Sequence, residues 1–396
     1  MKVEIIAHES GDLLPLLLDS EGMPIPAPNE FIISRRSLSP NTLTRNLREL
    51  SVLYTWFEKE NIDLDIRICS KQFFNEAEIK GGLVEFLRRD HEKRHKVKKI
   101  TVTPNTFNQR LITIRQFLAW YIDVVIGSVP YSSDSYNQMI DNKKRLLDFL
   151  ETSFINAPPT NRSQQKGLDG GEIDFLLTIL DPENKQVSSR NPAVRYRNYI
   201  MTMIMLYYGL RPGELLSLKV EDVEIGAISG IRVERRPPNS LDTRKPRPQI
   251  KRNGRTLPIY DPLFARHLDA YITEWRDLLE DESDKESDYL ILSDEGEPLS
   301  QSSITQFFQL LRNKYSKDLP SHLTAKALRH TFSSQMERTL KNSGMEEDKR
   351  KQALAYLRGD SSLTSQDVYI AQEVEEQARI ALRKYQRDLV MEDIPW

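Results

Sequence analysis

Four short segments of this 396-residue chain carry side chains fit for chemistry. The first is Gly209-Leu210-Arg211-Pro212-Gly213-Glu214-Leu215. The second places Lys251 seven residues before Pro258, in K-x-x-G-R-x-x-P. The third is Lys326-Ala327-Leu328-Arg329-His330-Thr331-Phe332. The fourth is Leu357-Arg358-Gly359-Asp360, with Tyr369 nine residues on. These residue types suit transfer of a phosphoryl group to a hydroxyl. A phosphodiester gains negative charge on its nonbridging oxygens as a nucleophile approaches, so catalysis rests on positioning and on fixed donors. Arginine supplies a planar fork that binds two oxygens at once and stays charged at any working pH. Arg211, at a helix start, and Arg329 would clamp the phosphate from two sides. Taken singly, each segment has an ordinary reading. Arg211 could be a cap or a surface cation, L-R-H-T-F core packing with a salt bridge, Tyr369 a core residue, and His330 a half-buried histidine bracing Arg329.

Joined in this order and at these distances, the segments resemble the pattern of the tyrosine recombinases, the phage-integrase family. That pattern has an arginine in G-L-R-x-x-E-L-x-x-L, a β-hairpin lysine, H-x-L-R-H-T-F, and L-G-H-x-x-x-x-T-x-x-x-Y. The resemblance covers roughly 165 to 385, and the helical stretch before it is similar to the family's core-binding domain. It implies that Tyr369 attacks DNA to form a covalent phosphotyrosine. Religation then needs no ATP, metal or other cofactor, because the link retains the phosphoester energy. It further implies that Arg211 and Arg329 bind the phosphate, that Lys251 protonates the leaving 5′ oxygen, and that Glu214 orients Arg211.

Two positions depart from the family's commonest form. Lys326 stands where a histidine is usual and still offers donors to a phosphate oxygen. Asp360 stands where the family has histidine or tryptophan. A carboxylate beside a phosphate is repulsive unless paired or protonated, so Asp360 is expected to salt-bridge Lys326 or Arg358, or Arg358 to reach in as the missing donor. A different chemistry is suggested by His91-Glu92-Lys93-Arg94-His95, which matches the zinc motif HExxH. Seven cations within 88 to 99 would repel a metal ion, and no third ligand can be named, so no metal site is expected.

The elements that must position these residues are mainly α-helical. Proline punctuates residues 1–35, read as an N-terminal extension with β-like stretches at Val3 to Ile6 and Phe31 to Ser34. Helical periodicity follows Ser39-Pro40-Asn41, recurs at Leu83 to Leu87, opens again after Thr103-Pro104-Asn105, and spans Tyr136 to Phe154. Residues 36–157 thus read as a small helical bundle, a core-binding domain with a SAM-like fold by resemblance. A polar linker at 158–168 precedes a mixed α+β catalytic domain over 169–396. There the spacing predicts helices at Glu172 to Leu180, Arg195 to Tyr208, Pro262 to Leu279, Ser303 to Tyr315, Thr324 to Leu340, Glu347 to Tyr356 and Val368 to Tyr385. A small antiparallel sheet is expected from Gly230 to Arg235 and Arg255 to Tyr260. Gly209 suits a left-handed helix end, and Pro212 the first turn of the next helix.

With 39% hydrophobic and 29% charged residues, the composition is that of a globular chain. No apolar run approaches the ~20 residues of a membrane span, there is no signal-peptide pattern, and the one cysteine, Cys69, fits a reducing compartment. A cytoplasmic, nucleoid-associated location is expected. The net charge of −2 is uninformative because basic residues cluster. Arg88, Arg89, Lys96, Lys98 and Lys99 lie in one cluster; Arg235, Arg236, Arg244, Lys245 and Arg252 lie in another. The resemblance implies a C-shaped clamp on double-stranded DNA, with these clusters on phosphates and two helices, Asn41 to Trp56 and Asn105 to Tyr121, facing the major groove. Arg45, Arg48, Asn108 and Arg110 are the base-reading candidates. It also implies a homo-tetramer on synapsed sites, a monomer or dimer off DNA, and room for accessory recombination proteins. Two other functions share this scaffold: a DNA-binding protein whose cleavage is lost, and a type IB topoisomerase-like relaxing enzyme.

Overall fold

The computed structural model describes residues 1–7, 13–91, 101–156, 167–184, 191–237, 239, 242–250, 254–360 and 368–391, with side chains in the last helix from 374 to 389. The chain divides into two compact units, Met1–Thr160 and Asn161–Trp396. Each has its own hydrophobic core.

The first unit opens with a hairpin of β1 (Lys2–Ala7) and β2 (Leu13–Leu18), paired antiparallel from Lys2↔Leu18 to Ala7↔Leu13. Next comes α1 (Pro26–Ser34), so Phe31 to Ser34 is helical rather than extended. Pro26 presets the first helical turn, and Phe31 and Ile32 are buried on one face of α1. Burial outweighs the β-preference of the adjacent isoleucines. Asn29 fastens helix to hairpin: its Oδ1 accepts from Leu17 N at 2.8 Å, and its Nδ2 donates to Leu17 O at 3.0 Å. The hairpin and α1 are therefore packed on this core, with Leu17, Phe31 and Ile32 inside it, rather than an extension on it.

Five more helices complete the bundle: α2 (Pro40–Glu60), α3 (Leu64–Cys69), a π-helical stretch Ala77–Leu83 running into α4 (Val84–Arg88), then α5 (Pro104–Ile126) and α6 (Asp134–Glu151). Ser39 and Thr103 cap α2 and α5, each accepting from the amide three residues on. Leucines at 43, 47, 50 and 53 of α2 meet Phe107, Leu111, Ile114 and Phe117 of α5 in the buried seam.

In the second unit, Asp169 and Glu172 form a capping box that starts α7 (Gly170–Leu180). Then α8 (Pro192–Tyr208) is buried along its whole last half, from Ile200 to Tyr208, and is the central core helix. After α9 (Pro212–Leu215), strands β3 (Val223–Glu224), β4 (Gly230–Val233) and β5 (Arg255–Pro258) form an antiparallel sheet in the order β3-β4-β5. Helices α10 (Pro262–Ala270), α11 (Arg276–Glu280), α12 (Gln301–Lys314), α13 (Ala325–Asn342), α14 (Glu347–Arg358) and α15 (Val368–Met391) surround α8 and the sheet. The fold is mainly α with one small sheet in this unit. Among the described residues no helix is long and apolar enough to cross a membrane.

Candidate active site

Arg211, Arg329 and Asp360 meet where α8 and α14 end, beside the first turns of α13. Gly209 closes α8 in the left-handed conformation, φ 59° and ψ 31°. A Cβ there would run into the Phe332 ring of α13, so glycine serves both the backbone sign and the close approach. The reversal places Arg211 immediately before α9, with Pro212 at the first helical position. From α13, Arg329 reaches the same turn: its Nη1 donates to Gly209 O at 2.6 Å.

Both guanidiniums are aimed at the C-terminal end of α14. Arg329 Nη2 donates to Arg358 O at 3.1 Å, and Arg211 Nη1 points at Arg358 O and Gly359 O at 3.3 and 3.4 Å. Cations at a helix C-terminus meet its partial negative charge. The two forks then converge on one carboxylate. Arg329 Nη2 lies 3.1 and 3.2 Å from the two oxygens of Asp360, and Arg211 Nη2 pairs with Asp360 Oδ1. Arg358 Nε adds a third ion pair at 2.9 Å from Asp360 Oδ2. Asp360 thus pairs with Arg358 as one expectation had it, and with both clamp arginines. Lys326, one turn before Arg329, is exposed.

Glu214 is bound to Arg211 at two points. Its Oε1 accepts from Arg211 Nη1 at 3.0 Å and its Oε2 from the Arg211 backbone amide at 3.0 Å. Behind it stands Arg255 of β5, whose Nη2 donates to Glu214 Oε2 at 3.2 Å and whose Nε donates to Leu357 O at 2.9 Å. The Glu214 and Arg255 side chains are each 2% exposed, a sealed pair. The sequence placed Arg255 at a strand start and in a basic run, with no part in the catalytic site. Its place in G-R-x-x-P was visible, but nothing in one dimension said that its side chain crosses to the end of α14.

Burial, and then the like charges of Arg211 and Arg358, bring the Arg329 pKa down to about 10. His330, next along α13, is also held below its ordinary value, first by burial and then by Lys326, Arg358 and Arg329. Its Nε2 is buried without a hydrogen-bond partner among the described residues, so it braces Arg329 by no such bond there. Tyr369 falls in the first turn of α15. Its side chain lies outside the described residues, as do Lys251 and Arg252. What positions that helix is described: Tyr385 OH donates to Leu206 O at 2.9 Å, tying α15 to α8.

The DNA-contact candidates divide by burial. Arg45 and Arg48 are exposed on α2, Arg45 lying 3.7 Å from Glu49; Arg89, Arg235 and Lys245 are exposed too. Arg88 pairs with Glu85 at 3.0 Å, and Arg236 is held by Asp222 and Glu221. Three candidates are corrected. Arg110 is buried, with Nη1 donating to Leu87 O and Arg89 O at 2.7 and 2.9 Å, so it ties down the end of α4. Asn108 spends its amide on both backbone groups of Ile155. Arg244 is buried against Asp242 at 2.8 Å, stacks over Tyr289, and donates to Leu216 O and Leu299 O. It is an internal anchor for the β4–β5 connection. Lys96, Lys98 and Lys99 lie outside the described residues, and so does His95 of the HExxH match. His91 stacks on Phe86 with ring centres 4.2 Å apart and bonds Phe86 O through Nε2.

The phage integrase family profile matches residues 183–356. Over 287 residues the chain is 25% identical to tyrosine recombinase XerA of Thermococcus kodakarensis, covering 69% of this chain and 86% of that protein. Over 351 residues it is 26% identical to transposase A from transposon Tn554 of Staphylococcus aureus, covering 85% of this chain and 87% of that one. Among solved structures, the Tn1549 transposon integrase in complex with transposon right end DNA aligns with a TM-score of 0.48 at 16% identity, over 90% of this chain and 98% of that chain. The matched stretch contains Arg211, Glu214, Arg255 and Arg329, the groups that meet at the end of α14, and it is a phage integrase family domain.

Proposed function

We propose that this protein is a site-specific DNA recombinase of the integrase or transposase type, cutting and rejoining duplex DNA through a 3′-phosphotyrosine on Tyr369. The observation that carries the reading is the convergence of Arg211 and Arg329 on a single anionic group. A scissile phosphate seated there would receive two planar forks, each backed by fixed partners. The Tyr369 oxygen attacks phosphorus as the bond to the 5′ oxygen breaks. Lys251 gives its proton to that leaving oxygen, and Lys326 donates to a nonbridging oxygen. Religation is the reverse: a 5′ hydroxyl attacks, and the phenol leaves. Glu214 and Arg255 hold Arg211 in place and do not touch the phosphate.

The first unit, with the hairpin and α1 included, would act as the core-binding domain, joined through 158–168 to the catalytic domain over 169–396. Exposed Arg45 and Arg48 on α2 are the base-reading candidates that remain. Arg88, Arg89, Arg235, Arg236, Lys245 and Arg252 would serve phosphates, with Lys96, Lys98 and Lys99. We place the enzyme on DNA in the cytoplasm as a tetramer across two synapsed sites, α15 carrying contacts between protomers. A nicked suicide duplex bearing the recombination site tests the chemistry. Wild-type protein should be trapped as a covalent adduct, and Tyr369→Phe should form none. DNA retardation without adduct would leave only a binding protein, and relaxation of any supercoiled plasmid without recombinants would indicate a topoisomerase.

A further inference from the structure

Two carboxylates face the arginine cluster, and they differ in access. Glu214 is 2% exposed and permanently paired with Arg255, whereas Asp360 is 30% exposed, beside Arg211 at 32%. Asp360 therefore sits at the mouth of the site. Glu214 is shared by Arg255 and Arg211, and Asp360 is the anion common to Arg211, Arg329 and Arg358. Its Oδ1 meets both clamp arginines and its Oδ2 meets Arg329 and Arg358, an oxyanion seated between the forks where a phosphodiester would sit. The backbone beneath is pinned. Gly359 is left-handed at φ 62°, its amide donates to Tyr356 O, and the Asp360 amide donates to Ala355 O at 2.8 Å. Among the described residues the side chain is held by the arginines alone: Arg358 Nε lies 2.9 Å from Oδ2, an ion pair without hydrogen-bond geometry, and Arg329 Nη2 approaches the same oxygen at 3.2 Å.

We propose that Asp360 is a resident mimic of the scissile phosphate, holding Arg211 and Arg329 together in the free enzyme and yielding their forks to DNA while Arg358 retains its carboxylate. The proposal rests on the recombinase reading, which supplies the phosphate. A ground-state phosphodiester replaces one negative charge by another at the forks, so seating it gains little net charge pairing. The second negative charge arises only as the tyrosine attacks, and the freed forks then stabilise the transition state more than the bound substrate. Asp360 is thus a positioning residue that offsets part of the positive charge of a partly buried arginine cluster and keeps it spaced until its substrate arrives, since like charges left alone there would repel.

The test uses the full chain, with inorganic phosphate as probe and chloride at matched ionic strength as control. Asp360→Asn keeps the shape and removes the charge, and Asp360→His restores the family's usual residue. Asp360→Asn should bind phosphate about tenfold or more tightly than wild type by calorimetry, since the forks lose an ionic competitor. It should melt lower than wild type in chloride and recover in phosphate, and its suicide-duplex cleavage should become sensitive to added phosphate. Arg358→Ala should slow cleavage, and adding Asp360→Asn should restore much of the loss. Equal phosphate affinity in wild type, Asp360→Asn and Asp360→His would overturn the proposal. So would a melting deficit that phosphate does not relieve, which marks a merely structural clip, or additive effects of Arg358→Ala and Asp360→Asn on cleavage. Tighter phosphate binding by Asp360→Asn with no adduct in any protein would sustain the mimic and sink the recombinase reading instead.

Discussion

A guanidinium that must hold a phosphate needs something behind it, and here that support is the sealed pair of Glu214 and Arg255. Removing one partner leaves the other charge desolvated. Arg255→Ala is expected to cost about 3–5 kcal/mol of stability, read from urea denaturation, and to slow suicide-duplex cleavage because Arg211 loses its brace. Wild-type stability in that variant would show that Glu214 finds other compensation. His330 gives a second expectation, in pH. Its folded pKa lies below the ordinary value because burial disfavours the charged ring. The unfolded chain therefore takes up a proton that the fold resists. Stability is full above about pH 6.5, the ordinary histidine value, and falls as pH drops below it. His267, also held down chiefly by burial, adds to the same slope. Denaturation midpoints between pH 5 and 7 should therefore fall less steeply for His330→Gln than for wild type. Identical slopes would remove His330 from the account.

At the scale of elements, the site depends on how helices end. Gly209 turns α8 into α9 against Phe332, and Gly359 stops α14 where both clamp arginines meet its carbonyls. Alanine at 209 would meet the Phe332 ring and a backbone sign it resists, so Gly209→Ala is expected to destabilise by about 1–3 kcal/mol. It should also lower the cleavage rate of the protein that remains folded, since Arg329 Nη1 is anchored on Gly209 O. Thermal midpoint and single-turnover cleavage check the two parts separately. A normal cleavage rate in folded Gly209→Ala would mean that the turn supports the core but not the clamp.

For the whole molecule, the two cores share no buried cluster. The hairpin and α1 belong to the first, so a boundary drawn at residue 35 would cut through packed structure, whereas one after 156 would not. Fragments 1–156 and 167–396 should each unfold cooperatively when made alone, and a fragment beginning at residue 36 should be markedly less stable than 1–156. Circular dichroism of the separate fragments checks this. A non-cooperative 1–156 fragment would show that its core needs the other unit.

The sequence by itself determined the chemistry-bearing types, their order, the helical periods and the left-handed glycine at 209, because these are local or written in spacing. It also carried Glu214's partnership with Arg211, three residues apart. Only the tertiary structure decided what each charge is for. Arg110 read as a base-reading candidate and Arg244 as a phosphate ligand in a basic run, yet burial turns them onto backbone carbonyls and Asp242. Arg255 read as part of a strand, yet it reaches Glu214 and Leu357 from 41 and 102 residues away. Asp360 read as a departure, and its partners come from three different segments. A charge acts through the neighbours and dielectric around it, and those are set by which distant elements pack together.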